Sequence, residues 1–380
     1  MRLCFVAPGY YPDPGGAEEY VRAMAERLAR KGHEVHAVVP ADKGMPPEER
    51  NGVNVHRLEG RAFFSKRLAR LAGLEERLGE INPGLVHIQS HASLYALQAA
   101  EACQRLGKKF VVLTYGPTGE HNRNGFLRDL FVRALDAWTA PRIFPKAALV
   151  LYRTENLVPW CRRQGAKRLA RAPTGLDEAF LEAPATEAKW EASQKKVVGF
   201  VGSLSARKGC RQLVQAFPEV LEREPDAVLV FVGGEGEKGF GRKLAVEAER
   251  LGISQAVLFV GRVGASPSEG TRKLIAWLDS FDVFCLPSSW EGPSQAMLQA
   301  MARGKPVVVA RIPQLKGLMT EENGALIRFG DVGGLARALA ELLGNPAKRK
   351  KAGDLNRQVA ANYGFNRLAG ELEKAYLQLI

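Results

Sequence analysis

Short apolar segments alternate with amphipathic helical segments along most of this chain. The apolar segments are rich in valine, which is typical of strands in parallel sheets covered on both faces. A first series predicts strands at Leu3–Ala7, Val35–Val39, Val53–His56, Leu85–Ile88, Phe110–Leu113 and Ala148–Leu151. A second series predicts strands at Val197–Val201, Val228–Val232, Val257–Val260, Val283–Leu286 and Val307–Ala310. The intervening segments predict helices at Ala17–Lys31, Ser93–Leu106, Gly209–Glu222, Lys238–Leu251 and Leu335–Leu343.

Two such series predict an α/β protein with two doubly wound parallel-sheet domains that face a central cleft. The stretch Glu182–Lys195 is rich in Ala, Glu, Pro and Lys and lacks an apolar period, so the boundary is expected there. We predict an N-terminal domain at residues 1–185 and a C-terminal domain at residues 186–355. Residues 356–380 are expected to form a helical segment that packs back on the N-terminal domain.

The composition is that of a globular protein, with 380 residues, 46% hydrophobic and 25% charged. No apolar run approaches the ~18 residues of a membrane-spanning helix, and the apolar block at the N-terminus is too short for a signal peptide. We therefore expect a cytoplasmic protein. The five cysteines lie far apart, without zinc-ligand or redox-pair spacing, so we expect core thiols and no metal site.

The net charge of +13 is unevenly distributed. Eleven Lys/Arg and three Asp/Glu lie between Arg123 and Arg171. Four basic and no acidic residues lie between Arg61 and Leu71, beside Phe63 and Phe64. Interleaved basic and apolar side chains suit an interfacial helix on anionic lipid, and a solvated basic helix face is the plain alternative. Nucleic acid is not expected as a partner, because no reader motif accompanies the charge.

The segment Glu291–Ala302 carries the most specific chemistry in the sequence. It lies between two predicted buried strands and combines a loop carboxylate, Gly292-Pro293-Ser294 and a helix start. A helix N-terminus attracts phosphate, and Ser294 is a good N-cap residue. Glu291 can accept hydrogen bonds from hydroxyls. Gln295 and Gln299 are four residues apart and share a helix face, so a diphosphate that carries a polyhydroxylated group fits this segment.

Two other loops follow the first predicted strand of each domain. Pro8–Gly16 ends in Gly15-Gly16 before a helix, where a ligand can approach the backbone closely, although a flexible turn is the alternative. Gly202–Gly209 places Arg207 and Lys208 at a helix start, where two cations and the helix dipole can clamp a diphosphate.

Gly234–Gly239 matches G-x-G-x-x-G, the fingerprint of dinucleotide-binding domains. The match is not in the first strand–helix unit of its domain, and Glu235 and Glu237 would repel a pyrophosphate. Ala256–Leu258, about 20 residues further on, lacks the expected acidic residue. We therefore reject a nicotinamide dehydrogenase and interpret the segment as a tight turn near a base or ribose.

Together these segments resemble glycosyltransferase family 4, whose GT-B fold pairs two Rossmann-like domains. The collinear matches are Gly15–Glu19, Gly32–Val35, Val86–His87, Pro173–Asp177, Gly202–Gly209, Gly233–Glu237, Phe259–Gly261, Pro287–Gly292 and Ala300–Val308. The resemblance implies a retaining, metal-independent transfer of a sugar from a nucleoside diphosphate sugar, with no further cofactor. It implies that Glu291 contacts the donor sugar and that Lys208, assisted by Arg207, neutralises the leaving phosphate.

The resemblance also implies which residues contact the two substrates. The implied donor-binding residues are Gly15, Gly16, Gly202, Ser203, Gly234, Glu235, Arg262, Gly292, Pro293, Ser294, Gln295 and Gln299. The implied acceptor-binding residues are Tyr115 and His121. Three positions depart from the family pattern: Gln299 replaces a glutamate that binds ribose, Ser203 replaces an arginine, and Tyr115 replaces a histidine.

These departures keep other functions open. A catalytically silent paralogue that binds nucleotide or glycan, or supports a partner enzyme, is one alternative. Another GT-B enzyme, such as a nucleotide-sugar 2-epimerase or a sugar phosphorylase, is a second. For the transferase we expect a lipid-linked or membrane-bound saccharide acceptor and a peripheral contact with the inner face of the cytoplasmic membrane, because the basic excess clusters in the predicted acceptor domain.

Overall fold

The computed structural model describes residues 1–10, 16–41, 48–61, 68–117, 126–186, 195–264, 267–291 and 294–380. The chain divides into two compact units. The first unit comprises Met1–Gly175 and Phe365–Ile380, and the second comprises Leu176–Gly364. The second unit begins before the predicted boundary because the Leu176 N–H donates to the carbonyl of Tyr363 over 2.9 Å and Phe180 packs in the core of that unit.

The first unit is built on a nine-stranded sheet. Its strands are β1 (Arg2–Val6), β2 (Glu34–Ala41), β3 (Glu48–Arg50), β4 (Val53–Arg61), β5 (Arg70–Leu71), β6 (Leu85–Gln89), β7 (Phe110–Thr114), β8 (Leu149–Tyr152) and β9 (Leu169–Arg171). The order is β3-β4-β2-β1-β6-β7-β8-β9, with β5 paired to β4. Only β3 and β5 pair antiparallel among these strands, so the carboxyl ends of the others share one edge.

Helices cover both faces of this sheet and bury two apolar clusters against it. They are α1 (Gly16–Arg30), α2 (Leu74–Ile81), α3 (Leu94–Arg105), α4 (Phe126–Ile143), α5 (Val158–Arg163) and the last helix of the chain, α13 (Phe365–Leu377). Glu373 on α13 bonds Lys31 Nζ and His33 Nε2, each over 2.7 Å, at the end of α1. These bonds and the buried face of α13 hold the C-terminal residues in the first unit.

The second unit contains a six-stranded parallel sheet. Its strands are β10 (Lys196–Val201), β11 (Ala227–Val232), β12 (Val257–Gly261), β13 (Val283–Leu286), β14 (Val307–Ala310) and β15 (Gly324–Ile327). Its helices are α6 (Ala179–Glu182), α7 (Cys210–Arg223), α8 (Phe240–Arg250), α9 (Pro267–Ser280), α10 (Gln295–Ala302), α11 (Val332–Gly344) and α12 (Pro346–Ala360). The order β12-β11-β10-β13-β14-β15 reverses direction between β10 and β13.

Every predicted strand is present, and the predicted doubly wound class is confirmed in both units. The four strands that the sequence pattern did not predict are β3, β5, β9 and β15. Strands β3, β5 and β9 have only two or three residues, which is too short to show a period.

The cysteines behave as core residues, as expected. All five are free and buried. Burial raises the pKa of the Cys103 and Cys161 thiols to about 12 and that of Cys210 to about 11. These thiols are therefore protonated and poorly reactive core residues. Among the helices that the structure describes, none is long and apolar enough to cross a membrane.

Candidate active site

Two loops of the second unit meet where its strand order reverses. The loop after β10 carries Arg207 and Lys208 in a short 3₁₀ turn, and the loop after β13 carries Glu291. Because β10 and β13 are neighbours, the two loops emerge side by side at the carboxyl edge of the sheet. Ligands of open parallel sheets bind at this position, the topological switch point.

An ion pair joins the two loops. Lys208 Nζ lies 2.5 Å from Glu291 Oε2, and Arg207 Nη1 donates to the same oxygen over 3.3 Å. Arg207 Nη1 also donates to the carbonyl of Trp290 over 2.7 Å. The side chains of Lys208 and Glu291 are only 11% and 17% exposed. Two cations and one carboxylate thus lie together. Lys208 and Glu291 are largely shielded from water, where charges act more strongly on a ligand than at the open surface.

The backbone holds the two loops in register. The Ser289 N–H donates to the carbonyl of Arg207 over 2.9 Å. Gly209 has a φ of 72° and lies so close to β13 that a Cβ there would be 2.3 Å from the carbonyl oxygen of Pro287. Only glycine satisfies both the left-handed backbone and this contact. The positions of Arg207 and Lys208 relative to Glu291 therefore depend on Gly209.

Two further glycines keep space open beside the lysine. Gly202 has a φ of 149°, and a Cβ there would lie 4.0 Å from Lys208 Nζ. A Cβ on Gly233 would lie 2.0 Å from the carbonyl oxygen of Gly202. The loops after β10 and β11 consequently approach each other closely, and no side chain of residue 202 stands beside Nζ.

Helix α10 begins beside Glu291 with its predicted cap. Ser294 has extended backbone, and its hydroxyl accepts the N–H of Met297 over 3.2 Å. Gln295 and Gln299 are half-buried on one face, whereas Met297 and Leu298 are buried. Neither side-chain amide forms a hydrogen bond with the residues that the structure describes. Both amides are thus available to a ligand at the start of α10.

Comparisons with known proteins show which family the chain belongs to. The profile described as Glycosyltransferase Family 4 matches residues 14–180, and the profile described as Glycosyl transferases group 1 matches residues 195–345. Between them the two profiles match most of the chain. The chain belongs to glycosyltransferase family 4.

Two curated proteins show what this family 4 chain is similar to. A D-inositol 3-phosphate glycosyltransferase of Corynebacterium urealyticum is 34% identical over 226 residues, which are 56% of this chain and 51% of that protein. The chain thus spans about half the length of that relative. A GDP-mannose-dependent alpha-mannosyltransferase of Mycolicibacterium smegmatis is 28% identical over 81% of this chain and 79% of that protein.

Solved structures share the fold of this family 4 chain. Anabaena HepE in complex with UDP superposes with a TM-score of 0.78, over 100% of both chains at 19% identity. Two parallel-sheet α/β domains of the GT-B type are therefore present here, as the resemblance implied.

The remaining donor-site predictions fall around the loop after β11. The Glu235 carboxylate accepts the N–H groups of Gly239 and Gly241 over 2.8 and 3.2 Å and so caps α8. Arg262 lies against Gly234, where a Cβ would be 2.6 Å from Nε of the arginine. The G-x-G-x-x-G segment follows β11, the second strand of its unit, as expected for a turn that is not a dinucleotide fingerprint.

Ser203, one of the three departures from the family pattern, is exposed in the loop after β10. It packs over Gly236, where a Cβ would lie 3.0 Å from Cβ of the serine. Arg207 occupies the position beside Glu291 instead. An arginine from the other side of the loop thus supplies a positive charge next to Lys208 even though residue 203 is uncharged.

The other predicted site residues belong to the first unit or lie outside the described parts of the chain. Gly16 begins α1, and Tyr115 follows β7. Gly15, His121, Gly292 and Pro293 lie outside the described residues. Across the described ranges, no group of three or more His, Cys, Asp or Glu side chains could hold a metal ion.

Tyr115 has neighbours that sequence reasoning missed. Gln89 Nε2 and Arg153 Nη2 both donate to its hydroxyl, over 2.6 and 3.1 Å. Gln89 ends β6 and Arg153 follows β8, so all three residues lie at the carboxyl edge of the first sheet. Each of these residues lies at or directly after the end of a strand, which the sequence pattern could have shown. The sequence does not show that the three strands are neighbours, so it could not group these residues.

Proposed function

We propose that this chain transfers a sugar from a nucleoside diphosphate sugar to a saccharide acceptor, with retention at the anomeric carbon. The contact of Lys208 with Glu291 at the switch point of the second sheet carries the proposal. The lysine offers a cation to a diphosphate, and the carboxylate beside it offers an acceptor to sugar hydroxyls. The N-terminus of α10 adds a further site for phosphate oxygens.

The proposed chemistry needs no protein nucleophile. The bond between the anomeric carbon and the diphosphate oxygen breaks, and a bond to the acceptor oxygen forms on the same face of the sugar. The leaving phosphate takes the proton of the acceptor hydroxyl. Negative charge grows on the phosphate as its bond to the sugar breaks, and Lys208 with Arg207 would stabilise that charge electrostatically.

The nucleotide needs a direct test, because the similar mannosyltransferase is GDP-mannose-dependent and the HepE structure contains UDP. Thermal-shift measurements with UDP-, GDP-, ADP- and CMP-sugars identify a donor, since a ligand that binds only the folded protein raises its melting temperature. Release of nucleoside diphosphate from that donor then measures turnover, with EDTA present to test independence from metal. The anomeric configuration of the product, read by NMR, tests retention.

Matched variants make this test specific. Glu291→Gln and Lys208→Met should abolish most turnover. Glu341→Gln and Lys348→Met, which break an exposed ion pair of the same 2.5 Å length, should not change it. Donor binding without nucleotide release or transfer would favour a silent paralogue, and conversion of the donor sugar without an acceptor would favour an epimerase.

We also propose that α4 contacts an anionic membrane that carries the acceptor. Leu130, Phe131 and Trp138 on this helix are 55%, 45% and 40% exposed. Arg142 lies 5.1 Å over the Trp138 ring, and Arg133 is exposed on the same helix. Exposed apolar side chains beside arginines suit the boundary between lipid head groups and acyl chains.

Co-sedimentation with vesicles tests the membrane proposal. At low salt the protein should pellet with phosphatidylglycerol vesicles more than with phosphatidylcholine vesicles, and the double variant Phe131→Ser, Trp138→Ser should remain in the supernatant. The control double variant Val246→Ser, Phe329→Ser changes side chains of the second unit that are 57% and 39% exposed and should pellet normally. Equal soluble fractions with and without anionic lipid would contradict the proposal.

A further inference from the structure

A chain of hydrogen bonds in the first unit ends at the hydroxyl of Tyr115. It begins at Tyr376, whose hydroxyl contacts His87 Nδ1, and continues from His87 Nε2 to Gln89 Oε1 over 3.2 Å. Gln89 Nε2 then donates to the Tyr115 hydroxyl over 2.6 Å. His87 is 2% exposed, and burial lowers its pKa to about 3. Its ring is therefore neutral and carries a single proton.

The direction of each bond in this chain follows from its acceptors. A carboxamide oxygen only accepts, so His87 Nε2 carries the ring proton and Nδ1 accepts from Tyr376. The Tyr115 oxygen accepts from both Gln89 and Arg153. Its own proton then points away from both, and no described residue accepts it. Tyr115 is thus oriented as a hydrogen-bond donor.

Arg153, next to Tyr115, is a buried cation. The residue is 7% exposed, and its guanidinium lies 3.9 Å over the ring of Tyr20. Nη1 donates to the carbonyls of Ala172 and Pro173 over 2.9 and 2.8 Å. Nε is buried without an acceptor, and no carboxylate of the described residues forms an ion pair with the group. A buried charge without a counter-charge is costly, so a partner of opposite sign is expected.

We propose that Tyr115 and Arg153 bind an anionic group, a carboxylate or a phosphate, on the saccharide acceptor. This inference rests on the proposed transferase function. An oxyanion is the ligand that accepts the free proton of Tyr115 while neutralising the guanidinium beside it. The two residues follow the neighbouring strands β7 and β8 at the carboxyl edge of the sheet, which is the ligand side of this fold class.

The test is titration of the full-length protein with D-glucuronate, with inorganic phosphate and with neutral D-glucose, at constant ionic strength. Tyr115→Phe is the deciding variant, because it removes one hydroxyl and keeps the ring against Arg153. Tyr152→Phe is the matched control, since its hydroxyl bonds only Glu155 among the described residues. Arg153→Met is informative if it folds, because it also removes two bonds to backbone carbonyls.

The wild-type protein and Tyr152→Phe should bind at least one anion, and Tyr115→Phe should bind it about tenfold more weakly. A response to glucuronate assigns a uronic-acid carboxylate, and a response to phosphate alone assigns a phosphorylated acceptor. Phosphate is also expected to bind at Lys208. The measured quantity is therefore the difference in phosphate affinity between wild type and Tyr115→Phe. Equal anion affinity in these two proteins, or no anion binding, would overturn the inference.

The titration requires no donor and no turnover. Anion binding in a protein that releases no nucleotide from any donor would sink the proposed transferase function and leave the anion site standing. Nucleotide release without anion binding would remove only the site formed by Tyr115 and Arg153.

Discussion

Replacing Lys208 by methionine is the sharpest perturbation of the candidate active site. Methionine keeps most of the apolar length of the lysine stem and removes only the charged end. In the structure that end lies 2.5 Å from Glu291 and next to the space left by Gly202. A donor phosphate that enters this space would meet Nζ directly.

The expected loss can be worked out from this geometry. Removing one preorganised group that stabilises developing negative charge costs about 2–4 kcal/mol, which is about 30- to 1000-fold in kcat. Stability should change less than the 3–5 kcal/mol typical of a broken buried ion pair. Glu291 keeps Arg207 at 3.3 Å and remains 17% exposed, so its charge is not left isolated.

Steady-state release of nucleoside diphosphate measures kcat, and urea unfolding measures stability on the same preparations. Glu291→Gln and the double variant complete a cycle. If the two residues act on one transition state, the double variant should lose little more than the worse single variant. A Lys208→Met protein with wild-type kcat and an intact fold would refute the placement of the leaving phosphate beside this lysine.

Three further outcomes are expected. Gln299→Glu should tighten nucleotide binding several-fold in calorimetry if residue 299 contacts ribose, because a carboxylate accepts stronger hydrogen bonds than an amide; unchanged affinity would place the ribose elsewhere. Arg303→Met should lower the free energy of unfolding by about 3–5 kcal/mol, because the Asp279 carboxylate, whose side chain is 8% exposed and is now bonded to Arg303 through both oxygens, loses this cation. A urea midpoint like that of wild type would contradict this. Burial lowers the pKa of His87 to about 3 in the folded protein, whereas the pKa in the unfolded chain is about 6.5. Between these pH values the unfolded chain binds a proton that the folded protein does not bind. The free energy of unfolding should therefore fall by up to about 1.4 kcal/mol per pH unit as pH drops from about 6.5 toward 3, and less steeply in His87→Gln; equal slopes in urea titrations of the two proteins would count against it.

Local patterns predicted most of the elements that build the site. The valine-rich strands, the helix after Gly209 and the cap at Ser294 are all present, because each depends on residues within one or two turns of one another. The role of Glu235 shows where such reasoning stops. The family resemblance implied donor binding for Glu235, and the structure shows its carboxylate bonded to two N–H groups at the start of α8. Both roles suit an acid in that loop, and the capping contact depends on how the backbone folds after β11.

The amino-acid sequence alone determined that the chain forms two α/β units, and it identified Lys208 and Glu291 as chemically relevant loop residues. Periodicity and residue type suffice for that, since both are properties of short segments. The tertiary structure decided which distant segments meet. Lys208 pairs with Glu291, 83 residues away, because the sheet order places β10 beside β13. Arg153 lies against Tyr115 because β7 pairs with β8. Strand order is set by the packing of the whole sheet, and no local pattern encodes it.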